Sequence, residues 1–212
     1  DNFDFIVAPE HDDIQGQNVI KTKGAIHYLT ENEINENKDY LNSFIKKDER
    51  IIWTLIMGGP TRYYDYSTKN IKEIFTTLSK LSKKHNFQLV IIPSMRTPTN
   101  IIQYANDYFG DDHTVIMDID KKAYLSALAI AQNIIVTCDS SSMISEAALT
   151  GKPIYIASIL PKKKDKRFQR FRNLFRELNI TRNLGEEIKD WNYQKLDETN
   201  RVANIIKQKI NS

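Results

Sequence analysis

The stretch from Thr137 to Glu146 (Thr-Cys-Asp-Ser-Ser-Ser-Met-Ile-Ser-Glu) combines residue types that suit anion binding. An apolar run precedes it and a helix-forming run continues it, so it marks a strand-to-helix junction. Asp139, Ser140, Ser141, Ser142 and Met143 put unpaired amides and hydroxyls at the start of that helix. Such a start attracts anions through its N–H groups and its dipole. Capping needs only one small polar residue, so three consecutive serines favour binding. Glu146 falls about one turn later, where a carboxylate can accept hydrogen bonds from ribose hydroxyls. Two other stretches have matching chemistry. Gly58-Gly59-Pro60-Thr61 closes an apolar run, and paired glycines allow close approach to the backbone. A plain tight turn is the equal alternative there. Ser94-Met95-Arg96-Thr97 sets a permanent cation and a capping hydroxyl at another helix start, which suits phosphate or carboxylate.

His11-Asp12-Asp13 is the remaining acid/base candidate. Neighbouring residues alternate in direction, so a shared metal ion is not expected. The four histidines show no metal-ligand spacing, and no metal site is expected anywhere. Cys138 lacks a histidine partner in sequence and reads as a buried, inert thiol.

The elements that must position these residues follow a regular order. Phe5 to Ala8 is a short buried strand, and Val19-Ile20 and Ala25-Ile26 are short strands or extended chain. Thr30-Glu-Asn-Glu33 is a capping box that opens a helix from Glu31 to about Ile45. Residues 46–50 read as a linker. Then strands at 51–57, 87–92, 114–117, 133–137 and 153–157 alternate with helices at 67–84, 98–109, 121–131 and 140–149. Thr97 is expected to cap the second of these helices, with Pro98 at its first position. Continuous apolar strands between amphipathic helices predict an α/β fold: a Rossmann-like parallel sheet with helices on both faces. Ligands of such sheets bind at the carboxyl ends of the strands, where the loops described above fall.

Of 212 residues, 41% are hydrophobic and 27% charged, a globular composition. No apolar run approaches the roughly 18–20 residues of a membrane span. One cysteine excludes a disulfide scaffold and fits a reducing, cytoplasmic setting. The net charge of +3 hides a segregation: residues 161–182 carry +7 and the remainder −4. That segment, helical from about Asp165, places Phe168, Phe171, Leu174, Phe175 and Leu178 on one face. A docked helix with a solvated basic side is the default; the sharper expectation is that Lys162–Arg176 meets an anionic acceptor or membrane surface. No RNA-binding motif is present, and nucleic acid is not an expected partner. The chain starts without Met and is expected to be part of something longer. A last helix with Val202, Ile205, Ile206 and Ile210 needs a surface to cover its stripe.

Taken together, Ala8-Pro-Glu-His-Asp12, Gly24-Ala-Ile-His27, Gly58-Gly-Pro60, Ser94-Met-Arg-Thr-Pro98, Asp139-Ser-Ser-Ser-Met-Ile-Ser-Glu-Ala147, Thr150-Gly-Lys-Pro153, Trp191-Asn-Tyr193 and Leu196-Asp-Glu-Thr199 resemble the mitochondrial fission (elongated-mitochondria) protein family, in its bacterial form. The resemblance spans essentially the whole chain. It implies a glycosyltransferase-B-like architecture of two Rossmann-like domains. Residues 1–45 would be the end of the first domain and the crossover. Residues 46–212 would be the C-terminal domain, with the final helix packing back on the first. It also implies a nucleoside-diphosphate sugar as ligand, held without a metal or other cofactor by Gly58, Gly59, Thr61, Arg96, Thr97, Asp139, Ser140–Ser142, Met143 and Glu146. His11 and Asp12 are the acid/base candidates left near the cleft. Many family members have two adjacent arginines before Thr-Pro; Met95-Arg96 here implies weaker diphosphate binding. The alternative is a non-catalytic scaffold of the same fold that recruits a protein partner at a membrane surface. An epimerase with GxGxxG and Tyr-x-x-x-Lys is a weaker reading, since the chain has neither motif.

Overall fold

The computed structural model describes residues 3–185 and 188–211. At the amino end, β1 (Ile6–Pro9) and β2 (Val19–Thr22) pair in parallel as a separate small sheet. Helix α1 (Glu31–Glu36) follows, capped by Thr30, whose hydroxyl accepts the Glu33 N–H. The main sheet is built from β3 (Ile51–Met57), β4 (Phe87–Pro93), β5 (Thr114–Val115), β6 (Asn133–Thr137), β7 (Ile154–Ala157) and β8 (Thr181–Asn183). All its pairings are parallel, in the order β5-β4-β3-β6-β7-β8. The connecting helices are α2 (Thr68–His85), α3 (Thr99–Phe109), α4 (Lys121–Ile130), α5 (Ser141–Ala148) and α6 (Lys166–Glu177); α7 (Glu198–Ile210) ends the chain.

This order has a topological switch point. The chain winds outward from β3 to β5, then returns to β6 on the other side of β3. The crevice for a ligand therefore lies beyond the carboxyl ends of β3 and β6. Strands β4, β6 and β7 are buried along their full length, as expected of predominantly apolar strands covered on both faces. At the other end of the sheet Trp53 stacks between Phe87 and Tyr155, at 4.2 and 5.6 Å between ring centroids. Ser67, Asp120 and Ser140 cap α2, α4 and α5 with their side chains, which fixes where the loops at the switch point end.

Several elements differ from the sequence expectation. The helix from Glu31 stops at Glu36, and Lys38–Ser43 is a 3-10 turn instead. Its cause is Ser126 on α4, whose hydroxyl takes the Leu41 N–H and donates to the Lys38 carbonyl. Leu41 is thereby drawn into the core. The strand expected at 114–117 ends at Val115. Ile154–Ala157 is not the last strand, because β8 adds a sixth; its sequence Thr-Arg-Asn has no apolar signature. Pro98, not Thr97, precedes the first turn of α3. The final helix covers only part of its stripe: Val202 is buried and Ile210 is exposed. It is tied to the amino-terminal segment, where Glu198 accepts the Lys23 N–H and Thr199 bonds both the N–H and the carbonyl of His27.

Candidate functional site

At the switch point β3 is followed by Gly58-Gly59 and β6 by Cys138-Asp139. Asp139 joins the two. Its side chain is fully buried and accepts three hydrogen bonds: from the Gly59 N–H (3.1 Å), the Tyr66 hydroxyl (2.6 Å) and Arg96 Nη2 (2.9 Å). Thr137 Oγ1 extends the network by accepting the Gly58 N–H (2.8 Å) and lying 2.6 Å from the Tyr66 hydroxyl. Burial, then the Asp139 charge, push the Tyr66 phenol well above its ordinary range, so it stays a donor. The paired glycines have a different cause from the one expected. A Cβ on Gly58 would stand 2.1 Å from Asp139 Oδ2, and one on Gly59 would stand 1.9 Å from the Arg96 carbonyl. The protein itself fills that space, so close packing of two loops requires glycine there whether or not a ligand binds.

Thr97 is a staple instead of a cap. Its hydroxyl lies 2.6 Å from the Gly58 carbonyl and accepts the Ser94 N–H at 2.8 Å. It thus ties the loop after β4 to the end of β3. Arg96 leans from that loop across the crevice, donating to the Gly59 carbonyl (3.1 Å) as well as to Asp139. Its side chain is 41% exposed. These two bonds engage two of its five N–H groups. Its charge is largely balanced by Asp139.

An open depression of about 560 Å³ lies above this network, lined by Thr61, Ser94, Met95, Arg96, Asp139, Ser140–Ser142, Met143 and Phe168. Helix α5 points its amino end into it. Ser140 spends its side chain on capping, accepting the Met143 N–H at 3.4 Å. The amides of Ser141 and Ser142, at the first two helical positions, have no carbonyl to bond within the helix, and Ser142 is exposed. Thr61 accepts the N–H groups of Tyr63 and Tyr64 and so shapes the opposite wall. The depression can hold an anion between helix amides, serine hydroxyls and one anchored guanidinium.

Other expected residues sit elsewhere. Glu146 does not line the depression. It is one turn along α5, half-buried, and accepts a 2.5 Å hydrogen bond from Tyr124 of α4. Burial raises its carboxyl above the usual range. His11 is buried edge-on against Phe171 of α6, and burial lowers its imidazole. Asp12 is held by Arg167, while Arg170 donates to the His11 carbonyl. The two thus anchor the amino-terminal segment on α6. Arg172 also turns inward, binding buried Asp165 (2.9 Å) and the Tyr64 hydroxyl (2.9 Å). Three arginines of the basic segment are therefore engaged with the chain's own groups, and Lys162, Lys163, Lys164, Lys166 and Arg176 are exposed. Cys138 is buried against Ile159 and its thiol is pushed up by burial, which makes it inert. Tyr66, Thr137, Tyr64 and Asp165 were not legible as site-building residues, since their partners are 70 to 110 positions away in sequence.

Among the described residues there is no group of three or more His, Cys, Asp or Glu suited to a metal ion, and no helix long and apolar enough to cross a membrane.

Residues 1–210 match the family model described as mitochondrial fission ELM1. An uncharacterised protein of Rickettsia prowazekii (strain Madrid E) is 29% identical over 93% of this chain and 57% of its own length. The mitochondrial fission protein ELM1 of Arabidopsis thaliana is 22% identical over 98% of this chain and 55% of its own. The chain thus spans about half the length of these relatives. Solved structures similar to it include a UDP-GlcNAc 2-epimerase from Neisseria meningitidis bound to UDP-GlcNAc (TM-score 0.47, 18% identity, 92% of this chain and 48% of the other). Another is the ADP-heptose heptosyltransferase II of E. coli (TM-score 0.43, 13% identity, 87% and 54%). With a family model matched over nearly its whole length, the chain belongs to the mitochondrial fission ELM1 family.

Proposed function

We propose that this chain is the donor-binding half of a nucleotide-sugar-dependent, glycosyltransferase-like protein. One observation carries the reading: the open amino end of α5, with Ser141 and Ser142, shares a depression at the switch point with the anchored guanidinium of Arg96. In this reading the diphosphate sits on the α5 amides and the serine hydroxyls. Arg96 offers its remaining N–H groups to the leaving phosphate. Stabilisation by helix dipole and guanidinium requires no metal. Glu146 has one carboxylate oxygen engaged by Tyr124, and the other is assigned to the ribose. Residues 1–45 belong to the end of a preceding domain. The separate β1–β2 sheet supports that assignment, since a lone parallel pair has little stability of its own. The exposed lysines at 162–164 and 166 shortly precede Phe168, which lines the depression, and suit an anionic or membrane-borne acceptor.

A second reading is a binding scaffold without turnover. The pairing of Arg96 with Asp139 favours it, because a neutralised cation stabilises a leaving diphosphate less. Calorimetric titration with UDP, ADP, GDP, CDP and their sugar conjugates tests the first reading. Saturable binding that weakens in Glu146→Gln supports it. Absence of binding by folded protein at millimolar nucleotide refutes it and leaves the scaffold.

A further inference from the structure

The segment that crosses from β2 to α1 carries a prominent aromatic ring. Tyr28 is 74% exposed, yet one face of its ring is occupied: Lys121 Nζ lies 5.0 Å from the centroid. Lys121 is itself tethered to Glu33 at 2.8 Å. An ammonium over a ring face is attractive, so the pair holds the ring in place. The segment is fixed to the site as well. The Ala25 N–H donates to Ser145 Oγ on α5 at 2.9 Å, and His27 is bonded to Thr199 on both its N–H and carbonyl.

These contacts align groups in a row. Ser142 and Glu146 are four residues apart on α5 and share a face, about 6 Å apart along the axis. Glu146 is bonded to Tyr124, and Tyr124 lies three residues from Lys121 on α4, again on one face. Lys121 leads to Tyr28. The loop between β5 and α4, which leads directly into the helix that carries Lys121 and Tyr124, exposes Met117 and Ile119, at 41% and 53%. That loop leaves the sheet at the same carboxyl rim as the loop before α5. Anion-binding amides, a carboxylate and then an apolar-edged aromatic ring follow the order of phosphate, ribose and base.

We propose that Tyr28 is the platform on which the base of a nucleoside diphosphate stacks. The base lies on the ring face opposite Lys121, with Met117 and Ile119 at its edge. The proposal rests on the nucleotide reading above. Stacking on an aromatic face tolerates every base, so purine and pyrimidine diphosphates should differ little. The probes are UDP, ADP and inorganic pyrophosphate, titrated into wild type, Tyr28→Leu and Tyr28→Trp. Tyr28 is at the surface, so both variants should melt as wild type does. The expected result is a loss of about tenfold or more in UDP and ADP affinity in Tyr28→Leu, recovery in Tyr28→Trp, and unchanged pyrophosphate affinity. If Tyr28→Leu binds UDP and ADP as wild type does, the base platform is refuted and the nucleotide site stands. Equal weakening of pyrophosphate also refutes it, since the ring would then act on the phosphate site. If wild type binds none of the probes, the nucleotide reading fails and this proposal with it.

Discussion

Replacing Ser142 by Asp should separate stability from binding, with opposite signs. Ser142 is exposed at the second position of α5 and lines the depression. A carboxylate there faces the positive end of the helix and should stabilise the fold by about 0.3–1 kcal/mol. For a domain of this size that is a rise of about 1–3 °C in melting temperature. A diphosphate in the same depression meets the new charge at close range. Unit charges 4 Å apart repel by roughly 1 kcal/mol in water and roughly 4 kcal/mol near a protein surface. A middle value of about 2 kcal/mol lowers affinity about thirtyfold. Thermal unfolding and calorimetric titration of the one variant read both effects. A variant that melts no lower than wild type and binds nucleoside diphosphate equally well would refute the anion site.

Three other perturbations probe the frame around the site. Gly59→Ala sets a Cβ 1.9 Å from the Arg96 carbonyl, so one loop must move; destabilisation of about 1–3 kcal/mol is expected, and a thermal melt within 1 °C of wild type would contradict the packing argument. Arg172→Met leaves the Asp165 carboxylate buried with no cation, which should cost about 3 kcal/mol, read as a lower denaturation midpoint in urea with unchanged slope. His11 and His113 are both lowered by burial. The unfolded chain therefore binds protons that the folded one does not, so stability should fall as pH drops through about 6.5, the ordinary histidine value, and be flat in that respect above it. A melting temperature that holds or rises from pH 7 to pH 5.5 in wild type, with no difference in His11→Phe, would contradict that assignment.

The sheet was legible because its strands are apolar on both faces and its helices carry capping residues. β6 at Asn133–Thr137 and the cap at Asp120 follow from local sequence alone. β8 was not legible, since Thr-Arg-Asn is drawn into the sheet by pairing with β7 and not by its own pattern. The break after Glu36 was hidden for a like reason: it depends on Ser126, about ninety residues away. At the site, residue types located the loops but not their wiring. Arg96 read as a free cation because Asp139, its partner, lies 43 positions on. The glycines read as room for a ligand, although a side chain and a neighbouring loop fill that room. The basic segment read by default as a docked helix with a solvated basic side, while three of its arginines bind the chain's own carboxylates and carbonyls.

The most direct test of the central claim is a backbone amide spectrum of the 24.6 kDa chain, followed during titration with a nucleoside diphosphate. With the phosphates on the start of α5, the largest shifts are expected at the Ser141, Ser142 and Met143 amides, with smaller ones at Arg96. Saturable shifts confined to another face, such as the cavity between Lys23, Ile180 and Arg201, would contradict it.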